Sequence, residues 1–219
     1  MSADNVQSIY SLRFAGNRDY RRQVWQVLTA EFFQPLIRPS GAVLDLGCGY
    51  GEFINQIQAQ EKYGMDLNPD SARKLDGGIR FFEQDCSKTW PLPEGKLDAV
   101  FTSNFFEHLP DKATLGLTLE QARRCLKPGG RLIAMGPNIK YLPGAYWDFW
   151  DHYLPLTEQS LCEGLVNQGF GIEQCHERFL PYTMVKSREY PVFLLRLYLK
   201  LRLAWRIFGK QFLVVAAKK

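Results

Sequence analysis

The sequence is poor in the residues that build disulfide and zinc scaffolds. Its five cysteines, Cys48, Cys86, Cys125, Cys162 and Cys175, are widely spaced and odd in number, with no CxxC pair. That pattern argues against a disulfide framework and a zinc site, and suits a reducing cytoplasm. Only three histidines occur, so any imidazole base is one of His108, His152 and His176. Met1 to Asn5 is polar and lacks the apolar core of an export signal. Internal repeats and low-complexity tracts are missing as well. A net charge of +4 is too small to argue for nucleic acid, and no such partner is expected. Acid is what the C-terminal end lacks: Arg196 to Lys219 holds seven Lys or Arg and no Asp or Glu.

What is present reads as one α/β domain. The 219 residues are 46% hydrophobic and 23% charged, enough for a substantial core. Val24, Val27, Leu28 and Phe32 fall at helical spacing within residues 18–34, and Pro35 and Pro39 end that helix. Apolar strands are predicted at Ala42–Leu46, Lys62–Leu67, Ile79–Glu83, Leu97–Ser103 and Arg131–Met135. Helices are predicted near Glu52–Ala59, from Asn68-Pro69, and over Lys112–Cys125; Lys127–Gly130 is a turn. Thr157 caps a further helix that Gly169 stops. Strands at Ile172–Phe179 and Phe212–Ala217 follow. Alternation with short connections predicts a parallel, doubly wound sheet. The expected organisation is a single domain over 1–219. Residues 1–40 form a helical cap, and a basic, apolar helix over 186–209 precedes the last strand.

The chemistry concentrates in Val43-Leu-Asp45-Leu-Gly47-Cys48-Gly49-Tyr-Gly51. Glycines let the chain turn sharply after a strand and let backbone N–H groups approach a ligand. The dinucleotide fingerprint is G-x-G-x-x-G/A; here the third glycine comes one residue early. Asp45 disfavours a pyrophosphate but can orient the ammonium of an amino-acid ligand. Asp66 ends the second strand, where a carboxylate can accept ribose hydroxyls. Asp85 follows the third, where an acid can accept an adenine amine. Plain surface acids at a βαβ turn are the bland alternative.

These motifs, with GMDLNP, VFTSNFFEHLPD and LKPGGRL, make residues 42–135 resemble a class I S-adenosylmethionine (SAM)-dependent methyltransferase. The resemblance implies SAM as cofactor and a seven-stranded, Rossmann-like, mostly parallel sheet whose last strand is antiparallel. It implies that Asp45, Gly47, Cys48 and Gly49 surround the methionine part, Asp66 and Leu67 the ribose side, and Asp85 and Cys86 the adenine. Ser103 and Asn104 would lie beside the sulfonium. One of Arg13, Arg21 and Arg22 would meet the SAM carboxylate.

Glu107-His108-Leu109-Pro110 resembles small-molecule enzymes of this class, including quinone-biosynthesis O-methyltransferases. Some of those hold a divalent cation with acids and this Glu-His pair. Asn104 replaces an acid of that set, so no metal is expected. His108 is either a packing residue beside the cofactor or a catalytic group. The Phe105-Phe106 pair reads equally as cleft wall and as core. In Tyr146–Tyr153, aromatics shape a pocket, and Asp151 or Asp148 can orient His152 as a base. His152, Asp151 and His108 are therefore the catalytic candidates.

Tyr190 to Phe208 carries apolar residues on more than one helical side, with four cations and no acid. Charges every few residues exclude a transmembrane span. A helix on an anionic membrane surface fits, as do a sheet cover, a dimer contact and a substrate pocket. The expected function is methyl transfer from SAM to a small or lipid-linked acceptor, at oxygen. The expected place is the cytoplasm, with the inner membrane face as a second location. The alternatives are a SAM-binding, membrane-associated module without turnover and a nicotinamide-dependent oxidoreductase.

Overall fold

The computed structural model describes residues 18–182 and 189–219. Its centre is a seven-stranded sheet: β1 Ala42–Leu46, β2 Glu61–Asp66, β3 Arg80–Glu83, β4 Leu97–Ser103, β5 Leu126–Pro137, β6 Phe170–His176 and β7 Gln211–Lys218. The order is β3-β2-β1-β4-β5-β7-β6. The pairs among β1 to β5 are parallel, and β7 runs antiparallel to both β5 and β6. This is the doubly wound topology expected from the sequence, with the antiparallel last strand that the resemblance implied.

Side chains on a strand alternate between faces, so each inner strand supplies two cores. Leu44 and Leu46 of β1 join Val100, Leu132 and Val214 on one face. There they meet Leu115 and Leu119 of α2 (Lys112–Cys125) and Leu161 and Leu165 of α3 (Glu158–Asn167). Val43 faces the other way, with Phe101, Ile133 and Val215. That second core is aromatic: Phe53 stacks on Phe101 at 3.7 Å, and Phe33 meets Phe101 edge-on at 4.9 Å. Asp45, two residues from Val43, shares its face of β1 and opens onto the carboxyl end of the sheet.

Several elements differ from the sequence expectation. The N-terminal helix is α1, Arg18–Leu28, continued by a π-helical turn over Thr29–Phe33 and a 3-10 turn over Gln34–Leu36. The change of pitch sets Phe32 against Phe179 and Phe33 against Phe101. Glu52–Ala59 forms successive turns rather than a helix. Asn55 is occupied there: its side chain donates to Lys74 O and accepts from Asp76 N, which competes with helical pairing. After Asn68 only a 3-10 turn, Pro69–Arg73, forms. Lys127–Gly130, expected as a turn, belongs to β5, where the pairing with β4 shifts register. The sixth strand starts at Phe170, two residues before the expected Ile172.

The single C-terminal helix expected over 186–209 is two helices among the described residues, α4 Val192–Lys200 and α5 Arg202–Phe208. Residues 186–188 lie outside the described part, as do residues 1–17 of the expected N-terminal cap. The break at Leu201 lets Trp205 fold back into the aromatic core, where its Nε1–H donates to Tyr198 O at 2.9 Å. Thr157 caps α3 as expected, in a reciprocal capping box with Ser160. No helix among the described residues is long and apolar enough to cross a membrane.

Candidate active site

The glycine loop sits between the ends of β1 and β2. Gly47 and Cys48 donate to Met65 O at 2.8 and 3.1 Å, and Gly51 donates to Cys48 O at 2.8 Å. Gly47 has φ +70°, and a Cβ there would lie 2.4 Å from the Phe105 ring. Phe105 therefore packs on the loop itself as well as against the core beneath it.

Asp66 terminates β2 and is buried. Its carboxylate accepts from Gly49 N at 2.8 Å and from Asn68 N at 2.9 Å. One acid thus ties the glycine loop to the start of the next turn. Burial raises its pKa, and the N–H donors of Asn68, Gly49 and Leu67 oppose that rise. Leu67 beside it is exposed, an apolar surface at the strand end.

Asp45 is only 4% exposed. Burial first, then the charges of Glu52 and Asp66, hold its carboxyl well above the usual range, against a backbone N–H bond from Ile54. Glu52 pairs with Arg21 of α1. Arg22 offers its carbonyl to Gln56, and Arg13 lies outside the described residues. Of the two described arginines, Arg21 is the one paired at the loop. The Cys48 thiol is pushed far up by burial and by Asp45 and Asp66, and burial pushes Cys86 up to about 11. Both remain neutral thiols, so neither is a nucleophile near neutral pH.

Three acids around one loop leave a concentration of negative charge that a cationic ligand relieves. Because the folded pKa of Asp45 lies above its unfolded value, its linked stability is fully present below the unfolded pKa, near 3.9. It is lost as pH rises through the raised folded pKa. Asp45→Asn should therefore raise the melting temperature of the ligand-free protein by about a few degrees at neutral pH. It should also flatten the pH dependence of melting. A melt that is lower than wild type across the pH range would refute this.

Asp85 and Cys86, expected beside adenine, follow β3. The Asp85 carboxylate accepts from Ser87 N at 2.8 Å and Ser87 Oγ at 2.7 Å. Cys86 is buried, 3.3 Å from Thr118 Oγ1. At the end of β4, Ser103 Oγ accepts from Asn104 Nδ2 at 3.1 Å. Asn104 takes φ +50°, unusual outside glycine, and its Oδ1 is buried without a hydrogen-bond partner. An unsatisfied buried acceptor and a left-handed backbone thus meet at one residue at the end of β4.

The second group lies after β4 and β5. Glu107 is buried, and its carbonyl accepts from Tyr153 N and Leu154 N at 2.8 and 3.1 Å. His108 Nδ1 is 2.8 Å from Asp151 O and 3.3 Å from its carboxylate. Asp151 thus engages His108 through both main chain and side chain, whereas Asp148 is exposed. His152 is buried in an aromatic chamber: Tyr146 at 4.7 Å, Phe149 at 4.8 Å and the His108 ring at 5.1 Å. Tyr182, which the sequence reading missed, meets Phe149 at 6.1 Å. It lies in an irregular segment with no motif to mark it. Glu107, His108 and His152 each offer a ligand atom within 4.8 Å of the others, a spacing that accommodates a metal ion. His176, by contrast, stacks edge-on against Trp205, away from this group.

Sheet order, glycine loop and the acids at successive strand ends define a class I SAM-dependent methyltransferase domain. Residues 17–174 match the family model described as a methyltransferase domain, and the chain belongs to that family. A solved SAM-dependent methyltransferase from Archaeoglobus fulgidus superposes with a TM-score of 0.69. It is 24% identical, over 97% of this chain and 99% of that one. Demethylmenaquinone methyltransferase of Symbiobacterium thermophilum is 28% identical over 67% of this chain and 66% of its own length. The 27-O-demethylrifamycin SV methyltransferase of Amycolatopsis mediterranei is 32% identical over 44% of this chain and 38% of its own. The chain thus spans from about a third to two thirds of the curated relatives it matches.

Proposed function

We propose that the chain transfers a methyl group from SAM to a small or lipid-linked acceptor, at an oxygen atom. The observation that carries the cofactor part is the buried Asp45 carboxyl, raised by its own burial and by the charges of Glu52 and Asp66. A ligand with ammonium and sulfonium cations relieves that charge, whereas a dinucleotide pyrophosphate adds to it. The residues fit SAM in number and kind. Asp45, Gly47, Cys48 and Gly49 would line the methionine part, with Arg21 near its carboxylate. Asp66 and Leu67 would take the ribose side, Asp85 and Cys86 the adenine, and Ser103 and Asn104 the region of the sulfonium.

When bound, SAM supplies an electrophilic methyl on sulfur, and the displacement is in line. The chain has to hold the acceptor oxygen in that line and remove its proton. His152 is the base of this reading, with its aromatic neighbours forming the acceptor wall. Asp151 sets the orientation of His108, which packs against the His152 ring. An oxygen acceptor is supported by two relatives named for one, the 27-O-demethylrifamycin SV methyltransferase and the tocopherol O-methyltransferase of Arabidopsis thaliana.

Calorimetry tests the cofactor: SAM should bind and NAD should not, and binding of NAD alone would overturn the reading. For the base, His152→Ala should lower turnover about a hundredfold or more while SAM affinity stays unchanged. The readout is S-adenosylhomocysteine release on small-molecule and lipid extracts. Full activity of the variant would remove His152 from the role.

A further inference from the structure

We propose that the outward face of α4 and α5 is a docking surface for an anionic lipid bilayer. The two helices turn one side to the protein: Leu195, Tyr198, Leu199 and Trp205 pack into the aromatic core. The other side is left outside it. Phe193, Leu197, Leu201, Leu203, Ile207 and Phe208 are each between 50% and 68% exposed. Isolated exposed apolar residues are ordinary, but six within sixteen residues are a patch that calls for a partner.

The exposure is a fixed property of the fold. Arg196 pairs with Glu31 at 2.6 Å, Tyr198 Oη donates to Phe179 O at 2.5 Å, and Arg178 Nη2 donates to Ile207 O at 2.7 Å. The helices are moored at both ends, with their apolar side held outward.

Charge selects the partner. Arg196, Lys200, Arg202, Arg206 and Lys210 are exposed among these residues, and no acid occurs from Tyr190 onward. A second copy meeting this face symmetrically would set cations against cations. A bilayer of anionic lipid offers both an apolar interior for the Leu and Phe side chains and headgroups for the cations. The segment under the helices also reaches the aromatic chamber. Phe179 contacts Trp205 at 4.9 Å, and Tyr182, three residues on, contacts Phe149 at 6.1 Å. A docked face would therefore stand close to the acceptor side of the site. The surface itself does not depend on the reading of the acceptor, and calorimetry with SAM tests the cofactor separately.

The test is flotation of the full chain with vesicles. Vesicles of equal parts phosphatidylglycerol and phosphatidylcholine should carry the protein, and pure phosphatidylcholine should not. About 1 M salt, where the Debye length falls to about 3 Å, should release it. Lys200→Gln with Arg206→Gln should weaken partition about thirtyfold, from the usual contribution of a cation near such a surface. Leu197→Ser with Ile207→Ser should also weaken it, with melting temperature and SAM affinity unchanged. Three results would each overturn the proposal: no flotation of the intact chain, equal flotation on neutral vesicles, or self-association in sedimentation velocity that the two serine changes abolish.

Discussion

Asp66→Ala should reduce SAM affinity at least about a hundredfold, equivalent to about 2.7 kcal/mol. The carboxylate has two tasks in the proposed complex. It accepts Gly49 and Asn68 N–H groups in the folded protein, and it would accept ribose hydroxyls from the cofactor. Each hydrogen bond to a charged group contributes about 1.5–3 kcal/mol, and the stranded donors add a penalty. The variant should therefore also melt lower, since Gly49 N–H loses its buried acceptor. Calorimetry with SAM and a thermal melt separate the two effects. A lower melt with unchanged affinity would leave Asp66 a loop tie and remove it from the ribose site.

Gly47→Ala should cost about 3 kcal/mol or more and lower the melting temperature by about 6–12 °C. Two causes add. A φ of +70° places an alanine Cβ in the strained left-handed region, and that Cβ lies 2.4 Å from the Phe105 ring. Phe105→Ala removes the two ring contacts and leaves the backbone strain, together with the approach to the Phe105 Cβ at 2.8 Å. The double variant should recover part of the loss from Gly47→Ala, and the non-additive part measures the clash. Strict additivity would show that Phe105 does not seal the loop.

Much of this could be read from the residues. Each acid of the proposed cofactor site follows an apolar run, so Asp45, Asp66 and Asp85 could be placed at strand ends before any coordinate. The glycines marked the turn, and Thr157 marked the start of α3. The misses have a common physical source. Glu52–Ala59 has helical composition, yet Asn55 gives its side chain to Lys74 and Asp76, a pairing no periodicity reveals. Leu201 looks like one more apolar residue in a long helix. The break there follows from Trp205 having a place in the core on the far side of the sheet. His152 was visible as a rare histidine among aromatics. Its closeness to His108 depends on Tyr153 and Leu154 bonding the carbonyl of Glu107, a contact between segments over forty residues apart.

The position of β7 has a consequence for how the molecule is made. β6 leaves the ribosome first but, among the described residues, pairs only with β7, which follows it and inserts beside β5. Ile133 and Val215, neighbours across that join, are about 80 residues apart in the chain. At about 5–20 residues per second, β6 waits for roughly 2–7 seconds without a partner. During that wait α4 and α5 are synthesised, and the sheet face that will bury Trp205 is incomplete. Closing so distant a pair is slow, so the nascent chain passes through a stage in which its most apolar helices precede the strand that fixes them.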